Sequence, residues 1–314
     1  MRWLTGRLLH ALLVLFGVSV LSFAFLEMAP GDYFSEMRMN PQIAPETLAS
    51  LRERHGLDRP LPVRYAHWAL SAARGEFGFS FAYNAPAGPL VWERARNTLA
   101  LTAAAALAAW LIAIPLGLWF AARRGGWADR AGAAGLAALL AVPDLLLALA
   151  LLMIAVRTRA LPAGGMYTPG DGSLADLARH MLLPMAALVL GALPVLVRHV
   201  RAAVAETLDA PYMRAARAHG IGPVRLLWRH ALPAAANPLI ALFGFSVGTL
   251  LSASLLVEVV MSWPGLGPLL VEAILARDLF LVIDGVLFSA AFLVAGNLLA
   301  DVLLYVADPR IRTT

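Results

Sequence analysis

Gly244-Phe245-Ser246-Val247-Gly248 has the spacing Gly-x-Ser-x-Gly, which in hydrolases holds a serine on a sharp turn for nucleophilic attack. That chemistry needs a strand-turn-helix context and an imidazole within hydrogen-bond reach. Here the pentad lies inside an apolar stretch. The seven histidines, His10, His55, His67, His180, His199, His219 and His230, all fall in loops or at the ends of apolar stretches. An intramembrane serine protease using Ser246 is therefore the weaker reading. The stronger one is helix packing, in which Gly244 and Gly248 let two backbones approach closely. The chain has no cysteine, hence no disulfide, no thiolate metal site and no thiol nucleophile. It has no lysine either; all 25 basic residues are arginine. That excludes a phosphate-binding P-loop and a Schiff-base lysine. Any ATP that drives this protein is bound by another chain, and no cofactor or metal is expected in this one.

Three carboxylates lie within or beside apolar runs: Asp144, Glu258 and Asp301. A charge in hydrocarbon is costly and should face protein or water. Asp301 reads as a structural partner near the cytoplasmic end of its run. Glu258 reads as a simply exposed group at the outer edge. For Asp144 a place on a solute pathway and a structural role are equally supported. Arg198, ending its run, reads as a snorkelling anchor.

The elements that must position these groups are membrane helices. Of the 314 residues, 60% are hydrophobic and only 14% charged, with a mean hydropathy of +0.73; soluble domains carry about 25% charged residues. The net charge of +5 fits basic loops that orient a membrane protein, and no nucleic-acid partner is expected. Six segments are long enough to cross about 30 Å of hydrocarbon, at roughly 8–28, 97–121, 131–156, 178–198, 235–258 and 283–306. Arginines crowd the N-terminus, 122–130, 199–233 and the tail, and are sparse in 157–177 and 259–282. This asymmetry predicts both termini in the cytoplasm. The first run is longer than a signal-peptide core and lacks a small-x-small cleavage site, so it reads as an uncleaved first helix, residues 1–28.

The long outer segment 29–96 is patterned as a small external subdomain of short helices. Pro45-Glu46 suits a first helical turn, with Leu48, Leu51 and His55 on one face and Gly56 at its end. Pro60 and Pro62 open a second stretch with Tyr65, Trp68 and Ala69 on one side, ended by Gly75. Anchoring at the membrane interface is an equally good reading of the Trp and Tyr. The remainder, 97–314, reads as the transmembrane core. Its 199–233 loop holds two short helices: Pro211 starts one, and Gly220-Ile221-Gly222-Pro223 stops it and starts the next. An alanine pair there gives a smooth surface able to enter a groove on another protein; the plainer alternative is an amphipathic helix lying on lipid.

That loop reads Arg214-Ala215-Ala216-Arg217-Ala218-His219-Gly220, followed by His230-Ala231-Leu232-Pro233. It resembles the cytoplasmic coupling loop of ABC-importer permeases, whose pattern is Glu-Ala-Ala, three residues, Gly, nine residues, Ile, one residue, Leu-Pro. Ala215, Ala216, Gly220, Leu232 and Pro233 match in register; Arg214 stands where the pattern has Glu and His230 where it has Ile. Much of the rest resembles the dipeptide, oligopeptide and nickel branch of that family. The matches are Ala29-Pro30-Gly31-Asp32, Gly56-Leu57-Asp58-Arg59-Pro60-Leu61-Pro62-Val63-Arg64-Tyr65 with Arg64 where Gln is usual, Pro115-Leu116-Gly117, Trp263-Pro264-Gly265-Leu266-Gly267, Ala276-Arg277-Asp278, Asn297 with Asp301, and the closing Asp308-Pro309-Arg310-Ile311-Arg312, while Gly75-Glu76-Phe77-Gly78-Phe79-Ser80 is similar to the family's Gly-Asp-Leu-Gly-x-Ser. Val142-Pro143-Asp144 departs from the usual Pro-Ser or Pro-Asn.

The resemblance implies an all-α membrane protein of about six transmembrane helices, with both termini cytoplasmic and a cytoplasmic coupling helix between spans 4 and 5. It implies a multi-pass protein of the bacterial inner membrane, surrounded by lipid. The implied partners are a second, similar permease, two cytoplasmic ABC ATPases that bind ATP and Mg, and an extracytoplasmic solute-binding protein. The solute implied is a peptide, glutathione or a nickel chelate. A secondary transporter would instead show inverted repeats and broken helices; no internal repeat is evident, although Pro115 and Pro194 can kink their spans.

Overall fold

The computed structural model describes residues 2–28, 31, 33, 34, 45–54, 56 and 58–307. Most of the Ala29–Asp32 motif, His55, Leu57, the side chains of Leu48 and Leu51, and the closing Asp308–Arg312 stretch lie outside the described residues. In chain order the helices are α1 (Arg2–Met28), α2 (Pro45–Arg54), α3 (Leu61–Ala72), α4 (Ala87–Ala122), α5 (Trp127–Leu140), α6 (Asp144–Thr158), α7 (Leu174–Asp209), α8 (Pro211–Ala218) and α9 (Pro223–Leu226). A π turn (Leu227–Ala231) leads into α10 (Leu232–Ala234), then α11 (Ala236–Val260), α12 (Leu266–Leu275) and α13 (Leu279–Ala307). A two-residue hairpin, β1 (Phe79–Ser80) and β2 (Ala85–Pro86), pairs antiparallel with Phe79 opposite Pro86.

Five helices, α1, α4, α7, α11 and α13, are long and apolar enough to cross a membrane, and α5 with α6 makes a sixth apolar element bent by 94°. The expected uninterrupted span 131–156 is thus corrected to two helices broken at Ala141-Val142-Pro143. Pro143 cannot donate a backbone hydrogen bond, and its ring pushes the β-branched residue before it away from helical geometry. Two other expectations were too short. α4 starts at Ala87 because Ala87, Val91 and Ala95, all fully buried, continue an apolar stripe at helical spacing. α7 runs past the apolar segment to Asp209 because Val197, Val200, Val204 and Leu208 do the same. At 36 residues each helix is about 54 Å long.

The chain divides into two compact units. The first comprises residues 1–98 and 264–294. In it α3 packs on α1: the ring of Phe23 meets Tyr65 at 5.6 Å and Trp68 at 5.9 Å, and the hydroxyls of Ser19 and Tyr65 hydrogen-bond at 2.9 Å. Trp68 is buried. These two aromatics pack against a helix. Asp278, fully buried, accepts from Ser80 Oγ at 2.7 Å and from the Ala82 N–H at 3.0 Å, and its other oxygen caps α13 at Leu281 N. The hairpin is therefore tied to the Ala276-Arg277-Asp278 motif. Just beyond it, burial and a hydrogen bond donated to Glu272 push the Tyr83 hydroxyl up to about 12. The Trp263–Gly267 motif meets α4 through Asn97 Nδ2 to Pro264 O at 2.8 Å and Leu266 N to Thr98 Oγ1 at 2.8 Å.

The second unit comprises residues 99–263 and 295–314, and α7 runs through its core. Gly117 lets α4 approach α7; a Cβ there would sit 2.5 Å from Val200 Cγ1.

Candidate functional site

α8 begins as its residues dictate: Pro211 needs no N–H donor in the first turn, and the Ala210 N–H returns to Thr207 O at 3.1 Å as α7 ends. It stops in a Schellman turn. Gly220, at φ +80°, donates to Arg217 O at 2.9 Å, and Ile221 donates to Ala216 O at 3.3 Å. The accompanying apolar contact is present, since Ala216 and Ile221 both pack on the core that holds Met213, Leu226 and Ala231. One face of α8 is thereby committed. Met213 is buried and Ala216 half-buried, whereas Tyr212, Arg214, Ala215 and Ala218 are exposed. The alanine pair does not present both methyls outward: Ala215 faces out and Ala216 faces its own chain.

The second half of the loop is one continuous turn of helix with a defect. The Leu232 N–H reaches back five residues to Leu227 O, which makes the π turn. Pro233 follows in register, without an N–H and with a ring that crowds the carbonyl four residues earlier; widening the turn relieves both. His230 and Leu232 are half-buried, and Pro233 is exposed. The motif residues thus split between a presented surface (Arg214, Ala215, Gly220, Pro233) and its internal support (Ala216, His230, Leu232).

Sequence reasoning missed what pins this loop. Arg217 Nη2 donates to Leu208 O at 3.4 Å, at the carbonyl end of α7, where a cation is favourable. Arg124 meets Asp209 at 2.6 Å in an exposed pair. Asp129 is buried and takes Arg201 in a fork, Nε at 2.5 Å and Nη2 at 2.7 Å, while also accepting from Gly125 N at 2.9 Å. Gly132 allows the close fit beside it, since a Cβ there would strike the ring of Phe120 at 2.2 Å. No sequence signal links Asp129 to Arg201.

The polar groups of the core sort differently from their sequence reading. Ser246 lies within the unbroken helix α11; it donates to Phe243 O at 2.7 Å and accepts from Trp110 Nε1 at 3.0 Å. This is not a nucleophile elbow. Gly244 touches α13, with a built Cβ 2.6 Å from Ala300 Cβ; Gly248 is buried on the same helix. Glu258 was expected to be exposed and is instead 0% exposed; it lies inside α11, which continues to Val260, and its backbone carbonyl accepts from Trp263 N at 2.9 Å. Asp301 is half-buried on α13. Asp144 opens α6, exposed, at the break. Arg157 and Arg159 close α6, Arg159 in the left-handed region at φ +52° with its N–H on Ala155 O at 2.8 Å; both are cations at a helix C-terminus.

With this geometry in place, likeness to known proteins is informative. Residues 113–313 match the family model described as the binding-protein-dependent transport system inner membrane component, and residues 1–102 match the N-terminal model of such membrane components. An oligopeptide transport system permease protein of Bacillus subtilis is 32% identical over 99% of both chains. A dipeptide transport system permease protein of Escherichia coli is 35% identical over 94% of each, and a di/tripeptide permease protein of Pseudomonas aeruginosa is 33% identical over 95% of this chain and 94% of that one. Among solved structures, the inward-facing MetNI methionine ABC transporter superposes with a TM-score of 0.59 at 18% identity, covering 70% of this chain and 96% of that one; this likeness concerns the fold.

Proposed function

This chain belongs to the inner membrane components of binding-protein-dependent transport systems, and from that premise we propose that it is the permease subunit of an ATP-driven importer of peptides. It is a multi-pass inner-membrane protein. In this reading it forms the translocation pathway with a second, similar permease. Two ATPases bind ATP and Mg and dock on α8 and its neighbour segments, and an extracytoplasmic binding protein delivers the solute. The observation that supports peptide as the solute is the 32–35% identity, over nearly the full length, to permeases named for oligopeptide and dipeptide transport.

The coupling step follows from the loop. ATPase closure moves a two-state assembly by binding one of its states better. α8 suits the transmission of that motion because its Schellman turn and buried Met213 fix it to the core, so a push on Ala215 is a push on α7 and α11. The test is reconstitution of the complex, with this chain bearing an affinity tag, into proteoliposomes supplied with ATP inside and binding protein outside. Di-, tri- and longer peptides taken up are read by mass spectrometry. Uptake that requires both ATP and binding protein supports the reading. Uptake without ATP, or ATP hydrolysis by this chain alone, would overturn it.

A further inference from the structure

We propose that Asp144 is a specificity-determining residue of the pathway and selects solutes that carry a positive charge, an ammonium or guanidinium group on the peptide; this rests on the transport reading above. Asp144 begins α6 immediately after the 94° break, and the other charges of the two helices, Asp129, Arg130 and Arg157, lie at their far ends. Its carboxylate is exposed and has no hydrogen-bond or ion-pair partner among the described residues. An ionisable group in such a place is costly and persists where it faces water, a solute or another chain.

Asp144 also lines a cavity of about 140 Å³ between α6, α7 and α11, and it is the one charged group of that lining. The volume suits the tip of one side chain with its water, not a whole peptide. Other polar capacity is limited: the Ser246 hydroxyl is spent on Trp110 and Phe243, and the Thr249 hydroxyl donates to Ser246 O at 3.0 Å. Gly191 makes the seat. A Cβ built there would lie 2.7 Å from Asp144 Oδ1, so any larger residue would displace the carboxylate. The result is a small, apolar-walled recess with one uncompensated negative charge, complementary to a cation.

The test uses the assembled complex in proteoliposomes and three dipeptides of matched size, Ala-Lys, Ala-Leu and Ala-Glu. Asp144→Asn should lower uptake of Ala-Lys relative to Ala-Leu about tenfold, the worth of one hydrogen bond to a charged group. Asp144→Glu should keep the preference, and Gly191→Ala should weaken it. The subunit composition should not change. Equal loss for all three peptides, an unchanged ratio, or loss of the companion permease would overturn the proposal; the last outcome would mark Asp144 as a partner of that subunit. A second readout needs no peptide. In Thr249→Cys complexes, the ratio of labelling rates by a cationic and an anionic thiol reagent should fall about tenfold when Asp144 becomes Asn, the same one-charge effect. An unchanged labelling ratio would overturn the proposal even where none of the dipeptides is imported, whereas absence of import alone would count against the peptide reading.

Discussion

Arg201 grips Asp129 through two nitrogens, at 2.5 and 2.7 Å, and so ties the first turn of α5 to the C-terminal extension of α7 just before the coupling loop. The carboxylate is almost wholly shielded while the guanidinium is a third exposed. Removal of one partner leaves a buried charge without its counterpart. Asp129→Asn or Arg201→Gln should lower the thermal stability of the detergent-solubilised protein by about 1–3 kcal/mol each. The double variant should cost less than the sum, by roughly 1–2 kcal/mol. Strict additivity would show that the pair contributes no coupling.

Gly220→Val should weaken transport sharply while membrane insertion survives. No heavy atom lies within 4 Å of a Cβ built at Gly220, so the penalty is the left-handed backbone alone, about 1–2 kcal/mol for an ordinary residue. Gly220→Asn, which tolerates that conformation, should retain most activity. Uptake and co-purification of the ATPases would be measured together. Equal behaviour of Val and Asn would count against the turn as the determinant.

The two alanines of α8 should respond differently. Ala215→Glu changes only the presented surface and should reduce ATPase docking with the fold intact. Ala216→Glu buries a charge against Ile221 and the core and should reduce stability as well. Arg214→Glu restores the general family residue at an exposed position and should leave docking intact. A melting curve and a pull-down of the ATPases separate these outcomes.

Gly244→Ala should destabilise the protein by about 1–3 kcal/mol through overpacking, because its methyl would meet Ala300 Cβ at 2.6 Å. Ala300→Gly should restore the loss in the double variant. Rescue read by thermal unfolding would establish the α11–α13 contact directly.

The native chain has no cysteine, which makes its topology easy to read. Cysteines introduced at Ser50 and Leu174 should label with an impermeant reagent from outside intact cells, and one at Ala218 should label only after permeabilisation. Outside labelling of Ala218 would reject the arrangement with both termini inside.

Much of this architecture is written locally. The apolar runs, Pro211 at a helix start and Gly220 at a helix end are each decided within a few residues, so sequence alone placed them. The break before Asp144 was not legible. Ile114-Pro115 and Val142-Pro143 have the same local chemistry, a β-branched residue before proline, yet α4 passes through its proline and the α5–α6 pair does not. The proline pair alone therefore does not decide the break. The Asp129–Arg201 fork was hidden because it joins residues 72 apart in sequence. The outward and inward split of Ala215 and Ala216 was hidden as well, because adjacent residues on a short helix differ only in which way the rest of the chain lies.

The π turn at Leu227–Ala231 acts as a phase setter. Relative to a regular helix it holds one surplus residue, and each residue added or removed rotates everything downstream by about 100°. Deletion of a single residue there would let the segment heal into α-geometry and would swing the azimuth of α11. Gly244 would then leave Ala300, Ser246 would leave Trp110, and Thr249 would leave the recess of Asp144. The short stretch before Leu232-Pro233 thus sets which way a 25-residue helix faces, and insertions or deletions should be excluded from it more strictly than substitutions.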